Sequence, residues 1–181
     1  MGCTINTATL KLFAFFCILS LAYPIYGKHT GVQKVTFGRM EEILAFEEKI
    51  QFKAKLDTGA KTSSLSATNI QEFELDGQVW VAFQVTDPQT KKIIDKKIPL
   101  ERHVYIKQHN KTNKVAKTTK RPVILLPICL GAQHKIIEVN LVDRSNFNCP
   151  VLLGRDAIIK FKGVIDPSEQ FISVPTCKVM S

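Results

Sequence analysis

Lys53 to Leu65 reads K-A-K-L-D-T-G-A-K-T-S-S-L, and the fold turns on how that stretch is parsed. Just upstream and into it, Ile50, Phe52, Ala54 and Leu56 alternate with Gln51, Lys53 and Lys55, the period-two pattern of a strand with one buried face. A strand ending in Asp57-Thr58-Gly59 leaves its carboxylate just past the last sheet hydrogen bond. Gly59 is then expected to turn the chain tightly and bring backbone N–H groups to the acid. Asp-x-Gly by itself is also an ordinary turn. The second element that lifts it above a turn is P-V-L-L-G-R-D-A-I, Pro150 to Ile158, an apolar strand running into Gly154 and then a charged pair that can open a short helix.

The rest of the chain has the same period. Val79, Val81, Phe83 and Val85 alternate, as do Ile137, Val139 and Leu141, and Val123 to Ile128 and Gly163 to Val174 add strand-like pieces. Turn signals at Asp76-Gly77, Asp87-Pro88 and Asp166-Pro167 separate them. Helical periodicity is confined to Met40 to Glu48, which reads equally well as a strand, and to the few residues after Asp156. The expected class is all-β with closely spaced short strands. At 181 residues, 45% of them hydrophobic, the chain is long enough for one domain with a real core.

Residues 1–27 are compositionally separate. Lys11 is their single charged side chain, and Leu12 to Tyr26 is almost unbroken apolar sequence. Fifteen residues would span about 22 Å as a helix, short of the ~30 Å hydrocarbon core. A signal peptide ending near Gly27 is therefore expected, with an N-terminal anchor as the alternative, since Ile25 is large for a position so near the cut. Export to the periplasm or beyond follows, and residues 28–181 form the mature domain. Its net charge is +9 less the one at Lys11, or +8.

Cys129, Cys149 and Cys177 remain in that domain. They allow three alternative single bridges or three buried thiols, and the sequence leaves these open.

Positive charge concentrates between Lys91 and Arg121, where eleven lysines and arginines face two acids, Asp95 and Glu101. Within it, the polar run Gln108 to Lys120 lies between two strand-like pieces and fits a long hairpin or loop. Such a run is either a solvated hairpin or a contact for an acidic partner. No aromatic residues interleave with its cations, so nucleic acid is not expected as a partner.

Taken together, the D-T-G-A stretch, R-P-V-I at Arg121 to Ile124 and N-L-V-D-R-S-N-F-N-C-P-V-L-L-G-R-D-A-I with V-I-D-P after it resemble the retropepsin-like aspartic proteases. Within that group the chain is most similar to a bacterial family labelled ATP-dependent zinc proteases, over roughly Val35 to Val174. The resemblance implies a closed acid-protease β-barrel with one short helix, one lobe per chain, and Asp57 as the catalytic aspartate. It further implies that Thr58, Gly59 and Ala60 hold the active-site loop and that Leu153 and Gly154 buttress it. Arg155 and Asp156 would tie the loop to a subunit interface. Lys107, Lys111, Lys114, Lys117 and Lys120 would fall in the flap over the substrate, although this segment lacks the glycine that a flap usually carries. Neither part of the label finds a residue pattern here. There is no H-E-x-x-H, His29, His103, His109 and His134 show no ligand spacing, and no glycine-rich loop suits ATP. No metal and no cofactor is expected.

One carboxylate cannot perform this chemistry. Two must lie ~3 Å apart and share a proton, one acting as base on water while the other donates to the carbonyl oxygen. The chain holds no second D-T-G, and the 154 residues after Gly27 are too few for two lobes. A homodimer whose two-fold axis passes between two copies of Asp57 supplies the pair. Asp143, beside Arg144, is expected to be a paired structural acid rather than an internal partner. Because Ala60 stands where a hydroxyl residue would add a donor to the aspartate, activity is expected at mildly acid to near-neutral pH. The expected function is thus an exported, homodimeric aspartic endopeptidase acting on peptides, with acidic peptides suggested by the basic segment. The alternatives are a catalytically silent envelope binding module of the same fold, holding an acidic peptide or polymer, and a metal-dependent hydrolase, which no residue supports.

Overall fold

The computed structural model of the chain describes residues 31, 33–108 and 117–177. The expected signal segment, Lys111 and Lys114 lie outside the described residues. Strands dominate: β1 (Val35–Gly38), β2 (Met40–Ala45), β3 (Ile50–Asp57), β4 (Ser63–Ser66), β5 (Thr68–Leu75), β6 (Gln78–Thr86), β7 (Ile93–Pro99), β8 (Arg102–Gln108), β9 (Lys117–Leu130), β10 (Gln133–Val142), β11 (Val151–Gly154) and β12 (Gly163–Asp166). One short helix, α1 (Arg155–Lys160), follows β11.

Six strands close on themselves in the order β10-β4-β11-β3-β2-β9, with β9 paired back to β10, and β8 extends the sheet beyond β9. Closure leaves few open strand edges, which in an antiparallel sheet would otherwise invite pairing with other chains. β5-β6-β7 form a separate three-stranded sheet, and β1 pairs β12 in parallel.

Alternation explains the packing. In β3, Phe52, Ala54 and Leu56 point inward and are 4% exposed or less, whereas Lys53 and Lys55 point out. Phe37, Ile43, Leu65, Leu126, Ile128, Leu141, Leu153 and Phe161 fill the same core, and Val81, Phe83 and Val85 lay the inner face of β6 on it. Each large apolar side chain so buried contributes roughly 1.5–3 kcal/mol.

Met40–Ala45 is a strand rather than a helix, because it pairs with β3 along its length and with β9 over Ile43, Leu44 and Ala45. Its inward positions include a charged one, Glu41, fully buried. Glu41 accepts hydrogen bonds from the backbone N–H of Gly38 (2.6 Å), Ile172 (3.4 Å) and Ser173 (3.0 Å). This carboxylate corrects the strand reading of Gly163 to Val174. The ladder stops at Asp166, and the chain beyond runs extended over β2 with its N–H groups bonded to Glu41 and to the Met40 carbonyl (2.7 Å). A disulfide between Cys129 and Cys177 fastens the end of that tail to β9. Of the described cysteines, Cys149 stays free and buried.

The basic segment is divided between two sheets. Lys96 and Lys97 belong to β7, where Lys96 pairs with Glu48 and lies over the Phe46 ring, 4.9 Å from its centroid. Arg102 on β8 binds Glu138 of β10, with Nε 3.0 Å from Oε2. Lys107, Lys117 and Lys120 lie on the β8–β9 hairpin, paired as Lys107↔Thr118, Gln108↔Lys117 and Tyr105↔Lys120; Lys107 and Lys120 are exposed.

Candidate active site

β3 and β11 run parallel, in a register that sets Leu153 beside Leu56 and Gly154 beside Asp57. The two elements singled out in the sequence, almost a hundred residues apart, thus meet at one point. Backbone hydrogen bonds fasten them: Arg155 N–H donates to the Ala60 carbonyl (2.7 Å), Asp156 N–H to the Lys61 carbonyl (3.2 Å), and Gly154 N–H to Ser63 Oγ (3.1 Å). Gly154 is required by space. A Cβ there would sit 2.6 Å from the backbone carbon and oxygen of Thr62, far inside van der Waals contact.

Asp57 stands at the strand end with its side chain 29% exposed, open enough to meet solvent. Oδ1 accepts from the N–H of Gly59 (3.0 Å) and of Ala60 (3.3 Å). Oδ2 lies 3.2 Å from Lys55 Nζ. Partial burial pushes the carboxyl upward, but the Lys55 ammonium and the two backbone donors outweigh it, and its pKa lies below the usual aspartate value. Glycine serves at position 59 by leaving room rather than by an unusual φ, since a Cβ would come within 3.2 Å of Oδ1.

Thr58 is exposed, and Leu153 is fully buried beneath the loop. Arg155 and Asp156 open α1 and are exposed, with Asp156 Oδ2 2.8 Å from Lys61 Nζ. Asp143 is not paired with its neighbour. Its Oδ1 accepts the Ser145 N–H (2.8 Å) in a local turn, which lowers its pKa.

Arg144 instead turns inward, 8% exposed, donating to the Cys149 carbonyl (3.3 Å) and to Ser64 Oγ (3.0 Å) with its guanidinium 4.5 Å from the Phe147 ring centroid. Burial is the main influence depressing its pKa, and Arg121 and Asp57 are among the charges it feels. Arg121 donates to Asn140 Oδ1 (3.3 Å), and Asn140 donates to the Ser63 carbonyl (2.5 Å). Arg144, Asn140, Ser63 and Ser64 therefore pin the strand that follows the Asp57 loop.

Arg121, Asn140, Arg144, Ser63 and Ser64 lie within the stretches quoted from the sequence, but no supporting role is read for them there. Lys55 carried a local signal of its own, since it stands two residues before Asp57 on the same face of a period-two strand. Among the described residues no three His, Cys, Asp or Glu side chains gather as a metal site would need.

Comparison with known proteins agrees with this geometry. A protein of unknown function from Legionella pneumophila, solved by crystallography, superposes with a TM-score of 0.64 at 36% identity, over 77% of this chain and 98% of that one. Curated relatives from Shewanella pealeana and Desulfotalea psychrophila, each named as a probable alpha-L-glutamate ligase, are 37% and 38% identical over 120 residues. The match spans about two thirds of this chain but only 25% of each of those longer proteins. Residues 36–176 match the family described as RimB-like, retropepsin-like aspartic endopeptidase RimB. The chain, with Asp57 and Gly154 in register at the end of its closed sheet, belongs to the RimB-like family of retropepsin-like aspartic endopeptidases.

Proposed function

We propose that the protein is an exported aspartic endopeptidase, working as a homodimer in which each subunit contributes Asp57 to one catalytic pair. The observation that carries this reading is the Asp57 carboxylate itself: solvent-accessible, its Oδ1 fixed by two backbone donors, in a loop stitched to Gly154-Arg155-Asp156. Family membership supports the fold and the reaction class. Export is supported by the Cys129–Cys177 disulfide, which persists in oxidising compartments, and by the apolar residues 12–26.

In the paired site one carboxylate is ionised and the other protonated, because two like charges ~3 Å apart cannot both ionise. The ionised one takes a proton from water as the water oxygen attacks the peptide carbonyl carbon. The protonated one gives its proton to the carbonyl oxygen. Collapse of the resulting diol breaks the C–N bond, the nitrogen leaving with the proton that the first carboxylate took from water while a diol hydroxyl returns its proton to the second. The second carboxylate also raises the proton-sharing step of the pair, opposing the lowering that Lys55 imposes on a single Asp57. The mildly acid to near-neutral optimum expected from Ala60 therefore requires that the second carboxylate outweigh Lys55 and the two backbone donors, which a pH–rate profile of cleavage measures.

Glutamate-rich peptides are the proposed substrates. The outward lysines of β3 and the basic β8–β9 hairpin favour anions. The longer relatives are named as glutamate ligases, which supports glutamate as a residue of the peptides cut. The test is cleavage-site mapping by mass spectrometry on a diverse peptide mixture at pH 4 to 7, using wild type and Asp57→Asn. Cuts that disappear with the substitution establish the aspartic mechanism. Cuts that survive it reject Asp57, and a folded dimer that cuts nothing supports the binding-module alternative.

A further inference from the structure

We propose that Lys55 is a specificity residue of this site: it releases Asp57 and takes the side-chain carboxylate of a glutamate or aspartate next to the scissile bond. The inference rests on the endopeptidase reading above and adds the residue that selects the substrate.

The strand pattern places Lys55 where such a contact can be made. Gln51, Lys53, Lys55 and Asp57 share the outer face of β3, while Phe52, Ala54 and Leu56 are committed to the core. Lys55 is paired across the sheet with Met40 of β2 and Leu152 of β11, both half-buried. They offer apolar flanks to the lysine stem while its head stays in water, the usual disposition of a long cation on a sheet. The side chain is 55% exposed, so its position does not serve to seal the fold.

Its partner is what sets it apart. Lys61 is held by Asp156, Lys96 by Glu48 and Arg102 by Glu138, three acids with no part in the proposed chemistry. Lys55 instead holds the carboxylate that the reaction must use, and it holds the one oxygen, Oδ2, that backbone donors leave free. An exposed ion pair of this kind is worth at most about 1 kcal/mol, so an incoming carboxylate can replace Asp57 as the partner of the ammonium at little cost.

Geometry supplies the incoming carboxylate. Two residues along a strand cover about 6.6 Å, and a lysine side chain bridges that span to reach Asp57. A peptide whose carbonyl carbon lies over Asp57 therefore carries its adjacent side chains within reach of the same ammonium. In a two-fold dimer the partner's copy stands on the other side of the cut, so both flanking residues are read alike.

The exchange also changes the catalytic pair. Released from Lys55, Asp57 loses a stabiliser of its ionised form and can more readily hold the shared proton. Of the other charged groups, Lys53 shares its strand face, Arg144 from the loop preceding β11 feels its charge, and Arg39 and Arg155 lie on the segments bonded to Leu56 and Ala60. The residues of β11 and the facing Met40 of β2 carry no charge. None of these replaces the direct 3.2 Å contact that Lys55 makes.

The experiment uses the full-length protein and peptide pairs that differ only by glutamate or glutamine beside the mapped cut. Wild type is expected to favour glutamate by roughly tenfold in kcat/KM, the effect of about 1.4 kcal/mol. Lys55→Met, with Lys55→Gln as a second neutral variant, should bring that ratio to about one, while Lys55→Arg keeps it and Lys55→Glu shifts preference to lysine. On the glutamine peptide the acid limb of the pH profile should move to higher pH in Lys55→Met, because loss of the ammonium removes one of the groups that stabilise ionised Asp57. A glutamate-to-glutamine ratio unchanged in both neutral variants, with cutting still dependent on Asp57, overturns this inference and leaves the endopeptidase reading standing. If wild type cuts no peptide at all, both fall together.

Discussion

Glu41 and Asp57 are two carboxylates on neighbouring strands of one sheet, and their surroundings assign them opposite work. Glu41 is sealed from water and saturated by the backbone N–H groups of Gly38, Ile172 and Ser173. Nothing can approach it, and it serves as a knot that holds the C-terminal tail on β2. Asp57 has backbone donors on one oxygen only, an exposed lysine on the other, and an open side toward solvent. An acid whose every partner is backbone is part of the fold, whereas one whose partner can leave is available for chemistry.

The largest effect that could break this contrast is on turnover. Asp57→Asn should reduce peptide cleavage by roughly a thousand-fold or more, with the urea midpoint of unfolding little changed. A comparable loss of activity with a collapsed midpoint would make Asp57 a structural acid like Glu41. Next comes the tail that Glu41 holds. Reducing the Cys129–Cys177 bridge, or Cys177→Ser, should cost about 4 kcal/mol of stability, the chain-entropy value for a loop of this length. Denaturant unfolding with and without reductant measures it, and equal midpoints would show that Glu41 alone secures the tail.

Glu41→Gln should cost about 3 kcal/mol, because an amide group then faces backbone donors that have no other acceptor. The matching measurement is cleavage below the melting transition, which should stay near wild type. Smallest is Gly154→Ala, at about 2 kcal/mol from the forced shift of the Thr62 backbone. It sharpens the comparison, because activity should fall further than stability does if the β3–β11 register positions Asp57.

Much of this was written in the chain. Alternation over Ile50–Leu56 marks β3, and the two motifs at Asp57 and Gly154 are the residues that the parallel register joins. Both signals are local, one in period and one in composition. The missing parts are non-local. Met40–Ala45 became a strand because β3 and β9 flank it, and a single-segment reading holds no trace of those partners. Glu41 looks like an ordinary surface acid until the tail comes to rest on it. Cys129 and Cys177 could be matched only by the path of that tail, and Arg144 was expected beside Asp143 but found better partners in Ser64 and the Cys149 carbonyl. The lysine-rich segment looked like one feature and was cut by a strand boundary into two, with two of its charges, Lys96 and Arg102, already paired with Glu48 and Glu138.

The turn between β5 and β6 has a practical side. Asp76 and Gly77 both sit at positive φ, 53° and 75°, the geometry of a two-residue hairpin, and open space surrounds Gly77. Leu75 and Gln78 on either side are exposed, and this hairpin is no part of the closed ring that brings positions 57 and 154 together. That tip is a ready handle. A fluorophore, an affinity label or a surface tether attached there would ride on the molecule while leaving the carboxylate, its lysine and the glycine across from it undisturbed.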